Sequence, residues 1–461
     1  MNILLVYPNF RYTASGGYVP LGLLYIAAVA RKYGHKVSLI DMTFQDEPRF
    51  SEHQLKDIDA VGISFSTPLA GKAYEAIKCI KSTRPELTCI AGGPHPTVCP
   101  EECLRKGFDI VVLGEGEYTI VDLLEKMESS CSLHEVNGIA FLEKNEVIFT
   151  VPRALIENLD DLPFPARDLI NWDAYSKIND TITIFTSRGC PYHCLFCKPM
   201  QEKLFGKRVR RRTPSNVLDE IEKIIRDIKR ADYVFTFIDD TFLFSKEWIV
   251  SFCNEIKNRN LKLRWTCQAR VDNIDEELLE TIKKGGCFWL SMGVESGSQK
   301  ILDFLTKGIK VKDIIRAFDL CHKVGIGTYS YIIIGSPMET KQDLDATANL
   351  IKRIRPSCIA ISRLTPTLGS DLYEFAVKHG LLNISSFEEY DYYANAYPIN
   401  LEYLSKSDLD RYGHIMRRIA LRINLWRNIT NPSYLEKVVF EVFNRPKSII
   451  GKITNILRLF F

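Results

Sequence analysis

Short β-branched runs alternate with amphipathic stretches along the first part of the chain. Ile3–Tyr7, Lys36–Asp41, Ala60–Phe65, Thr88–Ala91 and Ile110–Leu113 read as buried strands. Pro20–Tyr33, Lys72–Thr83, Glu101–Lys106 and Glu117–Met127 carry helical spacing between or after them. Continuously apolar strands separated by helices predict a parallel sheet covered on both faces. The expected N-terminal unit, residues 1–135, is therefore an open, Rossmann-like α/β domain, which binds ligands in the loops at the carboxyl ends of its strands. Residues 138–151 alternate as a hairpin with its turn at Lys144-Asn145. The proline-interrupted Leu159–Arg167 segment reads as a linker, so residues 136–180 are expected to join two units.

From Thr181 the alternation resumes. Ile182–Thr186, Tyr233–Ile238, Leu263–Cys267, Phe288–Met292, Thr328–Ile334 and Cys358–Arg363 are predicted strands. Ser215–Lys229, Asp275–Lys284 and Lys341–Arg353 are among the helices between them. This succession over 181–400 fits a partial (β/α)6 barrel better than a second flat sheet, although periodicity alone does not separate the two. Residues 401–461 form a helical C-terminal region, with Arg411, Arg417, Arg418, Arg422 and Arg427 among apolar residues and a last segment, Ile449–Phe461, of similar character.

Composition narrows the function. The 461 residues carry a net charge of only +3, which excludes nucleic-acid binding driven by bulk positive charge. The tail stands apart: residues 401–461 hold 11 Lys/Arg against 5 Asp/Glu. Such a helix either lies on an anionic membrane surface, giving access to a lipid substrate, or caps the barrel. The uncharged stretch Tyr18–Ala30 is shorter than the roughly 20 residues of a spanning helix. The start, Met1 to Val6, shows neither a basic leader nor a cleavage site, so a cytoplasmic protein is expected. Its 13 cysteines are then reduced thiols.

Three of them form the strongest signal, Ser187-Arg188-Gly189-Cys190-Pro191-Tyr192-His193-Cys194-Leu195-Phe196-Cys197. Three thiolates from one short loop can hold three irons of a 4Fe-4S cluster and leave the fourth open to a substrate's nitrogen and oxygen. A structural zinc normally closes with four ligands, and His193 would have to fold back to be the fourth. Most of the other cysteines sit in apolar runs and read as small core residues. Three loops after the N-terminal strands are rich in glycine and hydroxyls: Ser66-Thr67, Gly92-Gly93-Pro94-His95 and Gly114-Glu115-Gly116. They allow a large flat ligand to approach the backbone, or serve only as turns and caps.

The C-x3-C-x-aromatic-C loop, with Phe196 at the aromatic position, resembles the signature of the radical S-adenosylmethionine enzymes. The preceding α/β domain with Gly92-Gly93-Pro94-His95 resembles the cobalamin-binding domain that many of them carry. The linker, Phe237–Phe242 and Gly293-Val294-Glu295-Ser296-Gly297 look like the same subgroup, which includes class B radical methyltransferases and the magnesium-protoporphyrin oxidative cyclases. The resemblance implies a 4Fe-4S cluster held by Cys190, Cys194 and Cys197, reductive cleavage of S-adenosylmethionine to a 5′-deoxyadenosyl radical, and methyl transfer from methylcobalamin to an unactivated carbon. Oxidative cyclisation with the same cofactors is the alternative, and a zinc-closed, non-catalytic cobalamin sensor a third reading. A flavodoxin- or ferredoxin-type electron donor is implied as well.

The resemblance also implies site roles. Asp239 and Asp240 would meet the methionine ammonium, unless they cap the next helix. Glu295 would accept from the ribose or amino acid part. Arg270 would clamp the carboxylate, or make an ordinary salt bridge. Gly335 would let adenine approach the backbone, or form a tight turn. Ser66, Thr67, Gly92, Gly93, His95, Gly114, Glu115 and Gly116 would line the cobalamin site, with His95 near the corrin rim or in the loop's own hydrogen bonding. The loop after the first strand, Pro8-Asn9-Phe10-Arg11-Tyr12, departs from the cobalamin pattern that donates a histidine to cobalt; it has none.

Overall fold

The computed structural model describes residues 1–9, 18–178, 181–228, 234–391 and 396–429. Phe10 to Tyr12, Lys229, Tyr233 and the Ile449–Phe461 segment lie outside them. Two sheets organise the chain. The first has the order β2-β1-β3-β4-β5-β6-β7. Its parallel part is β1 (Asn2–Tyr7), β2 (Lys36–Asp41), β3 (Ala60–Ser64), β4 (Thr88–Gly92) and β5 (Ile110–Val112). The expected strands are all present, within one or two residues.

The hairpin is not a separate connector. β6 (Ile139–Glu143) pairs antiparallel with β5, and β7 (Glu146–Phe149) pairs with β6, so the first sheet runs past residue 135. The reason lies in Ile139, Ala140 and Phe141, which are buried against both faces of the sheet. Lys144 and Asn145 both have positive φ, the geometry of a two-residue turn that matches strand twist. Helices Leu21–Lys32 and Glu117–Glu128 cover one face and Ala70–Thr83 the other.

The second sheet is built from β8 (Thr181–Ile184), then, after a two-residue ladder of β9 (Ser187–Arg188) with β10 (Arg210–Arg211), from β11 (Val234–Phe237), β12 (Trp265–Ala269), β13 (Cys287–Glu295), β14 (Gly327–Ile334) and β15 (Cys358–Arg363). All six long strands are parallel, in the order β15-β14-β13-β12-β11-β8, and curl into a half-barrel. β13 outlasts its predicted end at Met292 because it stays paired with β14 through a register shift between Gly293 and Glu295. Between sheet and helices, Trp265, Phe237, Phe242 and Phe252 form an aromatic cluster, each fully buried.

The C-terminal helix Lys406–Ile429 turns Leu409, Tyr412, Met416 and Ala420 against the barrel. Tyr412 donates to Asp345 at 2.9 Å, and Arg363 pairs with Asp410 at 2.6 Å. The apolar face offered by the sequence as a membrane contact is thus, through Ala420, part of a protein core. Among the described residues no helix is long and apolar enough to cross a membrane.

Candidate functional site

The carboxyl ends of the two sheets face each other across a cavity of about 350 Å³. Its first-sheet wall comes from Leu5, Ile63, Ile90, Val112 and the glycines of the strand-end loops; its barrel wall comes from Phe185, Ser187, Arg188, Asp239 and Asp240. Gly22 and Gly92 line it, and a Cβ at either would meet no atom within 4 Å. These two glycines therefore leave open volume rather than permitting a turn. The apolar floor with a few polar groups suits a large, flat, amphiphilic ligand.

The cysteine loop starts from the same edge. Gly189 has φ +90°, and a Cβ there would collide with the Arg208 carbonyl, so only glycine fits. After Cys194 the chain makes one helical turn, with the N–H groups of Cys197 and Lys198 both donating to the Cys194 carbonyl at 3.0 Å. Cys194 is buried, and Cys190 and Cys197 are half-buried. Burial pushes the Cys190 thiol up and the Cys197 thiol up to about 12. Thiolates in such surroundings need a metal's positive charge beside them, which the donor set, three thiols on one loop, is suited to hold. His193 points elsewhere: its Nε2 lies 3.2 Å from Asp371 and its Nδ1 3.7 Å from Glu202. The zinc reading with His193 as fourth ligand therefore has no support in the geometry.

Buried charges fix the cavity's two walls to each other. Glu115 accepts from Arg188 at 2.9 Å, from Arg210 at 2.9 and 3.0 Å, and from the Ile156 N–H at 2.8 Å. Arg188 also pairs with Glu117. Burial works against the Glu115 charge, yet the Arg210 and Arg188 guanidiniums outweigh it and hold the carboxyl below its ordinary value. Behind this latch, Arg167 and Arg212 share Glu220 at 2.8 and 2.5 Å. Arg188 stands two residues before Cys190, so the Gly114-Glu115-Gly116 loop and the cysteine loop are tied through a single side chain.

The B12 binding domain family matches residues 11–124, and the radical SAM superfamily matches residues 184–351. An uncharacterized methyltransferase of Pyrococcus horikoshii is 33% identical over 405 residues, 85% of this chain and 86% of the relative. The chain belongs to the cobalamin-binding radical S-adenosylmethionine enzymes. The anaerobic magnesium-protoporphyrin IX monomethyl ester cyclase of Rubrivivax gelatinosus is 28% identical over 480 residues, covering 99% of this chain and 82% of the cyclase. In fold, the chain resembles OxsB with aqua-cobalamin and S-adenosylmethionine bound, at a TM-score of 0.74 and 19% identity over 97% of this chain and 71% of OxsB. It also resembles TsrM of Kitasatospora setae with cobalamin and a [4Fe-4S] cluster bound, at 0.71 and 17% over 94% and 89%. Cobalamin, the 4Fe-4S cluster and S-adenosylmethionine are the family's cofactors and this chain's.

In this cobalamin-binding radical enzyme the residues expected at the cofactors divide. Gly92, Gly93, Gly114, Glu115 and Gly116 line the cavity with Asp239 and Asp240; Ser66, Thr67 and His95 do not. His95 is fully buried, its Nδ1 3.2 Å from Thr67 Oγ1 and its Nε2 3.1 Å from Tyr74 Oη, which itself donates to Glu102. Its place in the loop's own hydrogen bonding is the expectation the geometry supports. Glu115 faces the cavity, but both its oxygens are spent on the arginine latch. Asp239 is engaged by the turn: it accepts from the Thr186 N–H at 2.8 Å, the Thr186 hydroxyl at 3.1 Å, and the Ser187 hydroxyl at 2.8 Å and N–H. It fixes the turn into the cysteine loop, with three donors on Oδ1 and the Thr186 hydroxyl on Oδ2.

Asp240 differs. Gln201 binds one oxygen, and the carboxylate opens into the cavity. Burial, with Asp239 beside it, pushes its proton affinity up. Arg270 forms a salt bridge, the plainer of its two readings, although a buried one: it is bidentate to Asp272 at 3.0 and 2.9 Å and stacked 3.6 Å over Tyr192. Glu295 pairs with Lys307 at 2.7 Å. Gly335, at φ +91°, turns its Cα toward Leu409 of the C-terminal helix, where a Cβ would come within 3.3 Å, so the face expected to admit adenine is covered. Sequence reasoning passed over Arg188, Lys198, Gln201, Arg210 and Lys307. The basic run Arg208–Arg212 was the available signal for the latch.

Proposed function

We propose that this chain methylates an unactivated carbon of a small-molecule substrate held between the two sheets. The observation that carries the reading is the shared cavity, in which the glycines of the cobalamin-binding domain and Asp240 of the barrel face one volume next to the cysteine loop. When bound, the cluster with S-adenosylmethionine supplies hydrogen abstraction and cobalamin supplies the methyl group. The chain's own share is geometric and electrostatic. The Arg188 latch sets the spacing of the two walls, the apolar floor excludes water, and Asp240 offers the substrate a carboxylate at the cavity surface.

Methyltransferases recur among the relatives, including the cytidylyl-2-hydroxyethylphosphonate methyltransferase of Streptomyces wedmorensis and the hopanoid C-3 methylase of Methylococcus capsulatus. The cyclase of Rubrivivax gelatinosus, matched along nearly the whole chain, favours oxidative ring closure as the second reading. A flavodoxin- or ferredoxin-type protein is the proposed donor of the electron. The deciding experiment supplies methyl-labelled S-adenosylmethionine, cobalamin and reductant to the anaerobic holoenzyme with candidate substrates. Label in the product supports methylation. A turned-over product without label removes it and leaves cyclisation.

A further inference from the structure

Close to the cysteine loop, the barrel buries an ion pair with an unusual mounting. Lys307 Nζ lies 2.7 Å from Glu295 Oε1, with side-chain exposures of 11% and 5%. Glu295 ends β13 at φ +59°, a conformation that costs a non-glycine residue free energy and persists only when its surroundings enforce it. A Cβ at Gly293 would collide with Glu295 Oε1 and sit 2.7 Å from Lys307 Nζ, so that glycine is the seat of the pair. The segment carrying Lys307 is stitched to the cysteine loop. The Leu195 N–H donates to the Leu305 carbonyl at 3.0 Å, the Thr306 hydroxyl donates to the His193 carbonyl at 2.6 Å, and Lys307 Nζ stands 5.9 Å over the Phe196 ring.

The pair is therefore oriented, with its ammonium toward the loop and its carboxylate held back on the strand. Burial works against the Lys307 charge, and the Glu295 carboxylate beside it upholds it. Two other cations stand near the loop and are unchanged in the variants below: Arg270 pairs with Asp272 and donates to the Lys307 carbonyl at 2.9 Å, and Lys198 Nζ donates to the Cys190 carbonyl at 2.8 Å.

We propose that the Glu295–Lys307 pair sets the reduction potential of the cluster bound by Cys190, Cys194 and Cys197. This rests on the cluster reading above. In the step concerned the oxidised cluster takes one electron from an external one-electron donor, the donor loses one, and no bond forms or breaks. The extra negative charge is stabilised by the ammonium and opposed by the carboxylate, and burial leaves both effects less screened than in water. Lys307 and Glu295 are positioning residues, and the pair makes opposite demands on its two members.

The test is an electron paramagnetic resonance-monitored redox titration of the anaerobically reconstituted holoenzyme without S-adenosylmethionine. Wild type, K307M, K307R, E295Q and the K307M/E295Q double variant are compared. The midpoint potential falls in K307M, rises in E295Q, and stays near wild type in K307R and in the double variant, where one neutral pair replaces another. Shifts of the same sign in K307M and E295Q, or no shift in either, overturn the proposal, since a merely structural role does not reverse sign with charge. Should K307M fail to hold a cluster, E295Q decides alone, and an unmoved or lowered potential refutes the pair. A wild-type protein without a cluster sinks the underlying reading instead.

Discussion

Glu339 gives the sharpest stability prediction. Its Oε2 accepts from the Gly335 N–H at 2.6 Å and the Ser336 N–H at 3.2 Å, while its Oε1 is buried with no hydrogen-bond partner. Burial pushes the carboxyl up to about 7 from an ordinary 4.5. At about 1.36 kcal/mol per tenfold change in proton affinity, the difference is about 3 kcal/mol. A carboxyl raised on folding contributes stability that is fully present below about pH 4.5 and is lost as pH rises through about 7. Glu339→Gln keeps an acceptor for the two N–H groups and mimics the protonated acid. The sequence has no tryptophan before Trp172, and Trp248 and Trp265 pack in the barrel core, so tryptophan fluorescence during urea unfolding reports on the barrel. Between pH 4.5 and 8 the variant is expected to gain about 3 kcal/mol relative to wild type. A constant difference across that range would refute the reasoning.

Three further outcomes concern the loops after the first sheet's strands. His95 is held neutral, with burial lowering its pKa to about 4, so stability present above pH 6.5 falls toward pH 4 by about 3 kcal/mol; in His95→Gln this acid limb is expected to flatten, by urea melts at stepped pH. Glu115→Ala leaves Arg188 and Arg210 buried without their shared partner and is expected to cost about 3–5 kcal/mol, read as a lowered melting temperature, and to weaken cobalamin binding as the walls lose register. Gly92→Leu projects a side chain into open cavity volume and is expected to weaken cobalamin binding at least about tenfold by equilibrium dialysis, an effect worth about 1.4 kcal/mol, with little change in melting temperature.

Much of this was legible along the chain, and the failures have physical causes. Buried parallel strands are long apolar runs, so β1 to β5 and the barrel strands stand out in the hydrophobic pattern itself. The hairpin was legible as a hairpin, but its attachment to β5 was not, since pairing partners are set by tertiary packing. The cysteine loop was legible because its ligands are local. The carboxylates were not, because a carboxylate's role depends on what faces it. Asp239 and Asp240 are neighbours in sequence, yet one caps a turn with both oxygens and the other opens into the cavity. Glu115 and Arg188 meet across 73 residues of chain, and neither residue's own neighbourhood announces the other.

We propose that a cluster on Cys190, Cys194 and Cys197 activates S-adenosylmethionine. It is tested most directly by incubating anaerobically reconstituted wild type and Cys194→Ala with S-adenosylmethionine, cobalamin and dithionite, and measuring 5′-deoxyadenosine. It is expected to form in wild type and to be absent in the variant. None in a wild type that carries iron and sulfide, or equal amounts in both proteins, would contradict it.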